Sequence, residues 1–167
     1  LPTLLASQHA GFLPEFLAPA GETRPKPLPD ATLWLYEVAR LILPQLGPEH
    51  APLKKQLYNA LVRSFARLRG GLRRWGWLSP DGLLVNGAEN VALTWMDAHV
   101  GPEPVTPRRG IAIEQQALFT QATGTLATLA EGEGNMKLAE ACREAGVKAR
   151  AAFRAGVHFG ETSEIID

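Results

Sequence analysis

Apolar residues recur at three- and four-residue intervals in four stretches of the chain, the spacing that gathers them on one face of an α-helix. The first stretch runs from about Ala31 to Gln45. There Trp34, Val38 and Leu41 share a face, and Leu33, Leu35 and Ile42 broaden it. Its charged residues are only Glu37 and Arg40, so it is apolar over most of its circumference, and Trp34 is expected in the core. Asp30 stands where an N-cap belongs. The second stretch, about Pro52 to Leu68, carries a stripe of Leu53, Leu57, Leu61, Ser64 and Leu68. Opposite it lie Lys55, Asn59, Arg63 and Arg67, the pattern of an amphipathic outer helix ended by Gly70-Gly71.

The third stretch, about Ile111 to Ala130, has Glu114 as its lone charge, which predicts a helix buried on both sides. The fourth, about Met136 to Ala155, gathers Leu138, Cys142, Ala145, Ala149 and Ala152 into an inward stripe. Lys137, Glu140, Glu144, Lys148 and Arg150 fall mostly outside. The order buried, surface, buried, surface predicts an all-α fold of helical hairpins in two layers. No repeat period is visible that would favour a solenoid.

The connections are unequal. Leu46 to Ala51 and Glu131 to Asn135 are short turns. Gly11 to Pro29 and Gly70 to Gly110 are long, and the second holds three of the four tryptophans. Long loops in compact domains are usually functional. Both lead into the start of a buried helix, so both are expected at one end of the domain, and that end is expected to carry the site. Within the second loop, Asp81 to Gly87 reads as a turn and a short strand.

Composition narrows the chemistry. Lys plus Arg and Asp plus Glu are both 17 among 167 residues, which lacks the basic surplus of a nucleic-acid binder and suits a neutral ligand. A lone cysteine, Cys142, forms no internal disulfide and favours a reducing, cytoplasmic setting. No apolar run nears the ~20 residues of a membrane span. His9, His50, His99 and His158 are too scattered for a metal set, so neither metal nor cofactor is expected.

The chemistry-bearing residues cluster in and after the long loop: Trp95, Asp97, Arg108, Arg109 and Glu114. Aromatic faces cover pyranose rings, while carboxylates and guanidinium groups hydrogen-bond hydroxyls. Glycosidic cleavage needs one carboxylic acid and a second carboxylate. Asp97 on its own could equally serve a backbone turn, Trp95 could cover a core edge, and Arg108 could hold a loop by pairing with Glu114 or Asp97.

Thr94-Trp95-Met96-Asp97-Ala98, Val100-Gly101, Val105-Thr106-Pro107-Arg108, Gly110 and Glu114 together resemble the glucosidase domain of glycogen-debranching enzymes, the amylo-α-1,6-glucosidase family. Gly11-Phe12-Leu13-Pro14 and Asp30-Ala31-Thr32-Leu33-Trp34 resemble that family's upstream loop and helix start. The resemblance implies part of an (α/α)6 barrel, with residues 1–167 an interior piece incomplete at both ends. It implies an inverting hydrolase that removes α-1,6-linked glucose from branched glucan, with Asp97 as general acid. Trp95, Arg108, Glu114 and Asp30 would then contact the α-glucan or oligosaccharide. The base would come from beyond Asp167, so the remainder of the barrel is the expected partner and this piece alone is expected to be inactive. The pattern departs from the family at Gly87 to Ala92, at Ile111-Ala112, at Gln116 where the family has Asn, and at Phe119 where it has Trp. Those departures keep open another α-glucoside, as in a trehalase-like enzyme, and a non-catalytic glucan- or protein-binding helical domain.

Overall fold

The computed structural model describes residues 1–9, 11–14, 17, 28–71, 77–85, 94, 99–101, 103–106, 108 and 110–156. Five α-helices account for most of them: α1 (Pro2–Ala6), α2 (Pro29–Ile42), α3 (Ala51–Gly70), α4 (Ile113–Gly132) and α5 (Met136–Gly156). Two small antiparallel pairs sit between α3 and α4. Strands β1 (Trp77–Leu78) and β2 (Leu84–Val85) form one, and β3 (His99–Val100) and β4 (Glu103–Pro104) the other. The fold is all-α, as the periodicity implies. Of the turn and strand expected from Asp81 to Gly87, the described part, to Val85, is the turn and second strand of the β1–β2 hairpin.

The four long helices lie close to their expected limits. Helix α3 buries Leu57, Leu61, Ser64 and Leu68 and exposes Lys55, Arg63 and Arg67. Its end is Gly71, held at φ +72, a conformation open to glycine at little cost. Helix α5 begins behind Asn135, whose Oδ1 accepts from the Leu138 backbone N–H at 3.1 Å. It buries Ala139, Cys142, Gly146 and Ala149. Burial pushes the Cys142 thiol up to about 12, and with none of its surface exposed it acts as a small core residue.

Two expectations about α2 are overturned. Trp34, Val38 and Leu41 do not face the core; they are 49%, 40% and 51% exposed. The buried face instead carries Thr32, Leu33, Leu35, Tyr36 and Ala39. A helix apolar on nearly every side gives no sequence signal for which side is covered, and packing against α3 and α4 decides it. Asp30 is not the N-cap either. Pro29 opens the helix behind Leu28, as its fixed φ and missing N–H allow, and Asp30 falls in the first turn.

A third reading holds in part. Helix α4 buries Gln115, Gln116, Phe119, Ala122, Thr123, Thr125, Leu126, Ala127 and Ala130. A strip of Ala117, Gln121, Gly124 and Thr128 remains exposed, so the helix is covered over most of its circumference and not all of it.

A chain of contacts orients the helices. The Tyr36 hydroxyl donates to the Leu61 carbonyl at 2.7 Å and lies 2.5 Å from Ser64 Oγ, which ties α2 to α3. The buried Thr32 hydroxyl accepts from the Leu13 N–H at 2.8 Å. Gly11, two residues earlier, packs against Arg63 and Arg67 near the end of α3. The start of α2 therefore lies beside the end of α3. Trp77 of β1 packs on Gly71 there, and β2 reaches the start of α4 through Gln116. Helices α2 and α4 thus begin at the same end, as the two long loops imply.

Helices α4 and α5 pack through small residues. A Cβ built on Gly146 would lie 2.4 Å from Thr123 Oγ1 and 3.3 Å from Thr123 Cβ. Thr123 is fixed by a hydrogen bond to the Thr120 carbonyl. Gly146→Ala is therefore expected to destabilise the fold by about 1–3 kcal/mol despite its better helix propensity. Urea unfolding checks this; an unchanged or higher midpoint would show that the helices separate freely.

Candidate functional site

The residues that could contact a ligand gather where α2 and α4 begin. Asp30, in the first turn of α2, is 3% exposed. A carboxylate at this position is favoured by the unpaired N–H groups and dipole of the helix. Across the interface, Gln121 Nε2 of α4 donates to Glu37 Oε2 of α2 at 3.3 Å. Asp30 and Glu114 are equally many residues upstream of these two, so they stand at one level on adjacent helices.

Glu114 occupies the first turn of α4 and pairs with Arg108, Nε to Oε1, at 3.2 Å. Their side chains are 14% (Arg108) and 22% (Glu114) exposed. Arg108 thus pairs with Glu114, one of the two partners open to it from sequence; the other, Asp97, lies outside the described residues. The pair resolves the cost of placing a carboxylate against a buried helix. Carboxylate and guanidinium are the groups that bind sugar hydroxyls.

Thr94, which opens the Thr-Trp-Met-Asp motif, is 3% exposed and anchored in the interior. Trp95 and Asp97 lie outside the described residues. The motif is followed by the β3–β4 ladder, in which His99 pairs with Pro104 and Val100 with Glu103. Arg109 also lies outside the described residues. No group of three or more His, Cys, Asp or Glu that could hold a metal ion occurs among the described residues.

One residue matters more than its sequence context suggests. Gln116 is 3% exposed, and its side chain spans to β2. Its Oε1 accepts from the Leu84 N–H at 2.9 Å, and its Nε2 donates to the Leu84 carbonyl at 2.7 Å. The amide thus acts as one more strand residue, satisfying both backbone groups of Leu84. It fastens the long loop to α4 just beyond Glu114. The signal available was a pair of glutamines in a helix nearly free of charge; the partner, 32 residues away, was not readable. At this position, where the sequence departs from the resembled pattern, Gln116 makes a two-point contact.

Gln116→Met keeps the volume and removes both bonding groups. It should cost about 1–3 kcal/mol for each backbone group left buried without a partner. Hydrogen exchange at the Leu84 amide reads this directly: protection should fall sharply in the variant, and unchanged protection would show that the clamp does not hold the loop.

Comparison with protein families gives a match to the model described as amylo-alpha-1,6-glucosidase, over residues 2–162. Comparisons with curated proteins and with solved structures return no match. The matched span includes the loop before α2, the Trp-Met-Asp segment, the Arg108–Glu114 pair and both helical hairpins. The chain belongs to the amylo-alpha-1,6-glucosidase family, a family of glycoside hydrolases.

Proposed function

We propose that this chain forms the acid-bearing part of a glucosidase site that removes single α-1,6-linked glucose units from branched glucan. The family match over nearly the whole chain is the observation that carries the reading. Asp97 is assigned as the general acid, protonating the glycosidic oxygen as the bond to glucose breaks. Trp95 stacks on the pyranose ring, and Asp30, Arg108 and Glu114 hold its hydroxyls. Asp30 and the Arg108–Glu114 pair at the shared start of α2 and α4 support a polar pocket edge there.

The reaction inverts the anomeric centre. A base carboxylate then activates a water on the opposite face, roughly 6.5–9.5 Å from the acid. We assign that base to a later part of an (α/α)6 barrel of which residues 1–167 are a piece. The exposed stripe of Trp34, Val38 and Leu41 supports such a partner, because it is an apolar face of the kind a neighbouring helix covers. No helix among the described residues is long and apolar enough to cross a membrane. With the lone cysteine, we take the cytoplasm as the working compartment.

The test is glucose release from a phosphorylase-trimmed branched glucan by the intact protein, wild type beside Asp97→Asn. Loss of a positioned proton donor should lower kcat by about 10²–10⁴. An Asp97→Asn enzyme as active as wild type would remove Asp97 from the mechanism. A wild type active on trehalose and not on the branched glucan would move the substrate to another α-glucoside.

A further inference from the structure

A second cavity lies away from the candidate site, toward the other end of α2. It has a volume of about 520 Å³, within the range of small-molecule sites. Its walls are the last turns of α2 with Leu43 and Pro44, the middle of α4, and Arg150 of α5. From Glu114 to Thr125 is roughly 16 Å along the α4 axis, so the cavity is separate from the Arg108–Glu114 pair.

Its chemistry differs from that of the glucosidase loop. Thr120, Gln121 and Thr128 supply hydroxyl and amide groups, and no aromatic ring among the described residues lines it. Thr125 is 7% exposed, and its Oγ1 is buried with no hydrogen-bond partner. That oxygen has almost no accessible surface, so Thr125 contributes to the cavity wall through its other atoms. Gly124 leaves open space where a side chain would stand.

The charge is also asymmetric. Arg40 and Arg150 both line the cavity. Glu37 neutralises Arg40, with Nε to Oε2 at 2.8 Å and Nη2 to Oε1 at 2.5 Å, which leaves Nη1 of Arg40 uncommitted. Arg150 makes no ion pair among the described residues, so the rim carries one net positive charge. One guanidinium group with no ion pair among the described residues, beside hydroxyl and amide groups, matches a phosphate ester of a small polyol.

We infer that this cavity binds a small phosphorylated sugar, at a site distinct from the one proposed for glycosidic cleavage. Calorimetric titration of the intact protein with glucose 6-phosphate, glucose and inorganic phosphate tests it. Two variants accompany wild type. Arg150→Gln removes the unpaired guanidinium. Gly124→Leu fills the open space and, by helix propensity, should unfold no earlier than wild type.

Glucose 6-phosphate should bind wild type, about tenfold or more weakly after Arg150→Gln, and not at all after Gly124→Leu. The inference is overturned by no binding up to about 10 mM or by equal affinity in wild type and the variants. It is overturned equally by inorganic phosphate binding as tightly as the sugar ester, which would leave those hydroxyl and amide groups without a role.

Discussion

A long helix that must be covered on most sides while carrying polar side chains sets the terms for this structure. Helix α4 buries Gln115, Gln116, Thr123 and Thr125 along with its apolar residues. Each such group has to find a partner or bear a desolvation cost of about 1–3 kcal/mol. Gln116 finds both backbone groups of Leu84, and Thr123 finds the Thr120 carbonyl. Glu114 finds Arg108. The two partners drawn from outside the helix both come from the long connection between α3 and α4. The connection is thus organised by what α4 requires, and it brings Arg108 to the start of that helix.

Close packing of α5 makes the same helix a fixed reference. Gly146 allows α5 to approach Thr123, and Ala139, Cys142 and Ala149 continue the seam of small residues. On the other side, Glu37 and Gln121 join α2 to α4, while Tyr36 reaches across to α3. The starts of α2 and α4 are therefore placed by helix packing and not by the loops themselves. Carboxylates there, Asp30 and Glu114, are positioned by rigid elements, the condition under which a binding geometry holds to within fractions of an ångström.

Much of this was legible in the chain. Helix limits followed from apolar spacing, and the amphipathic character of α3 and α5 followed from where charge fell. The pairing of Glu114 was foreseeable because a carboxylate at a buried helix start requires a cation. Other features were not legible, for identifiable reasons. The exposure of Trp34, Val38 and Leu41 depends on which of two apolar faces α3 and α4 choose, and periodicity is blind to that choice. Asp30 has the residue type that favours caps, yet Pro29 is better suited to the first helical position. The Gln116–Leu84 contact joins a generic amide to a backbone, and neither carries a sequence mark. Trp95 and Asp97 were recognisable from their motif, and the described structure bears on them only through the buried Thr94 beside them.

In the reaction proposed for this chain, Asp97 is the acid and an α-1,6 glucosidic bond breaks with inversion. The anomer of the first-formed product decides it. Proton NMR of the intact protein acting on a phosphorylase-trimmed branched glucan would follow free glucose before mutarotation mixes the anomers. Inversion predicts that β-glucose appears first and relaxes toward equilibrium. Appearance of α-glucose first would contradict the claim, since it requires a double displacement and a carboxylate nucleophile close to the acid.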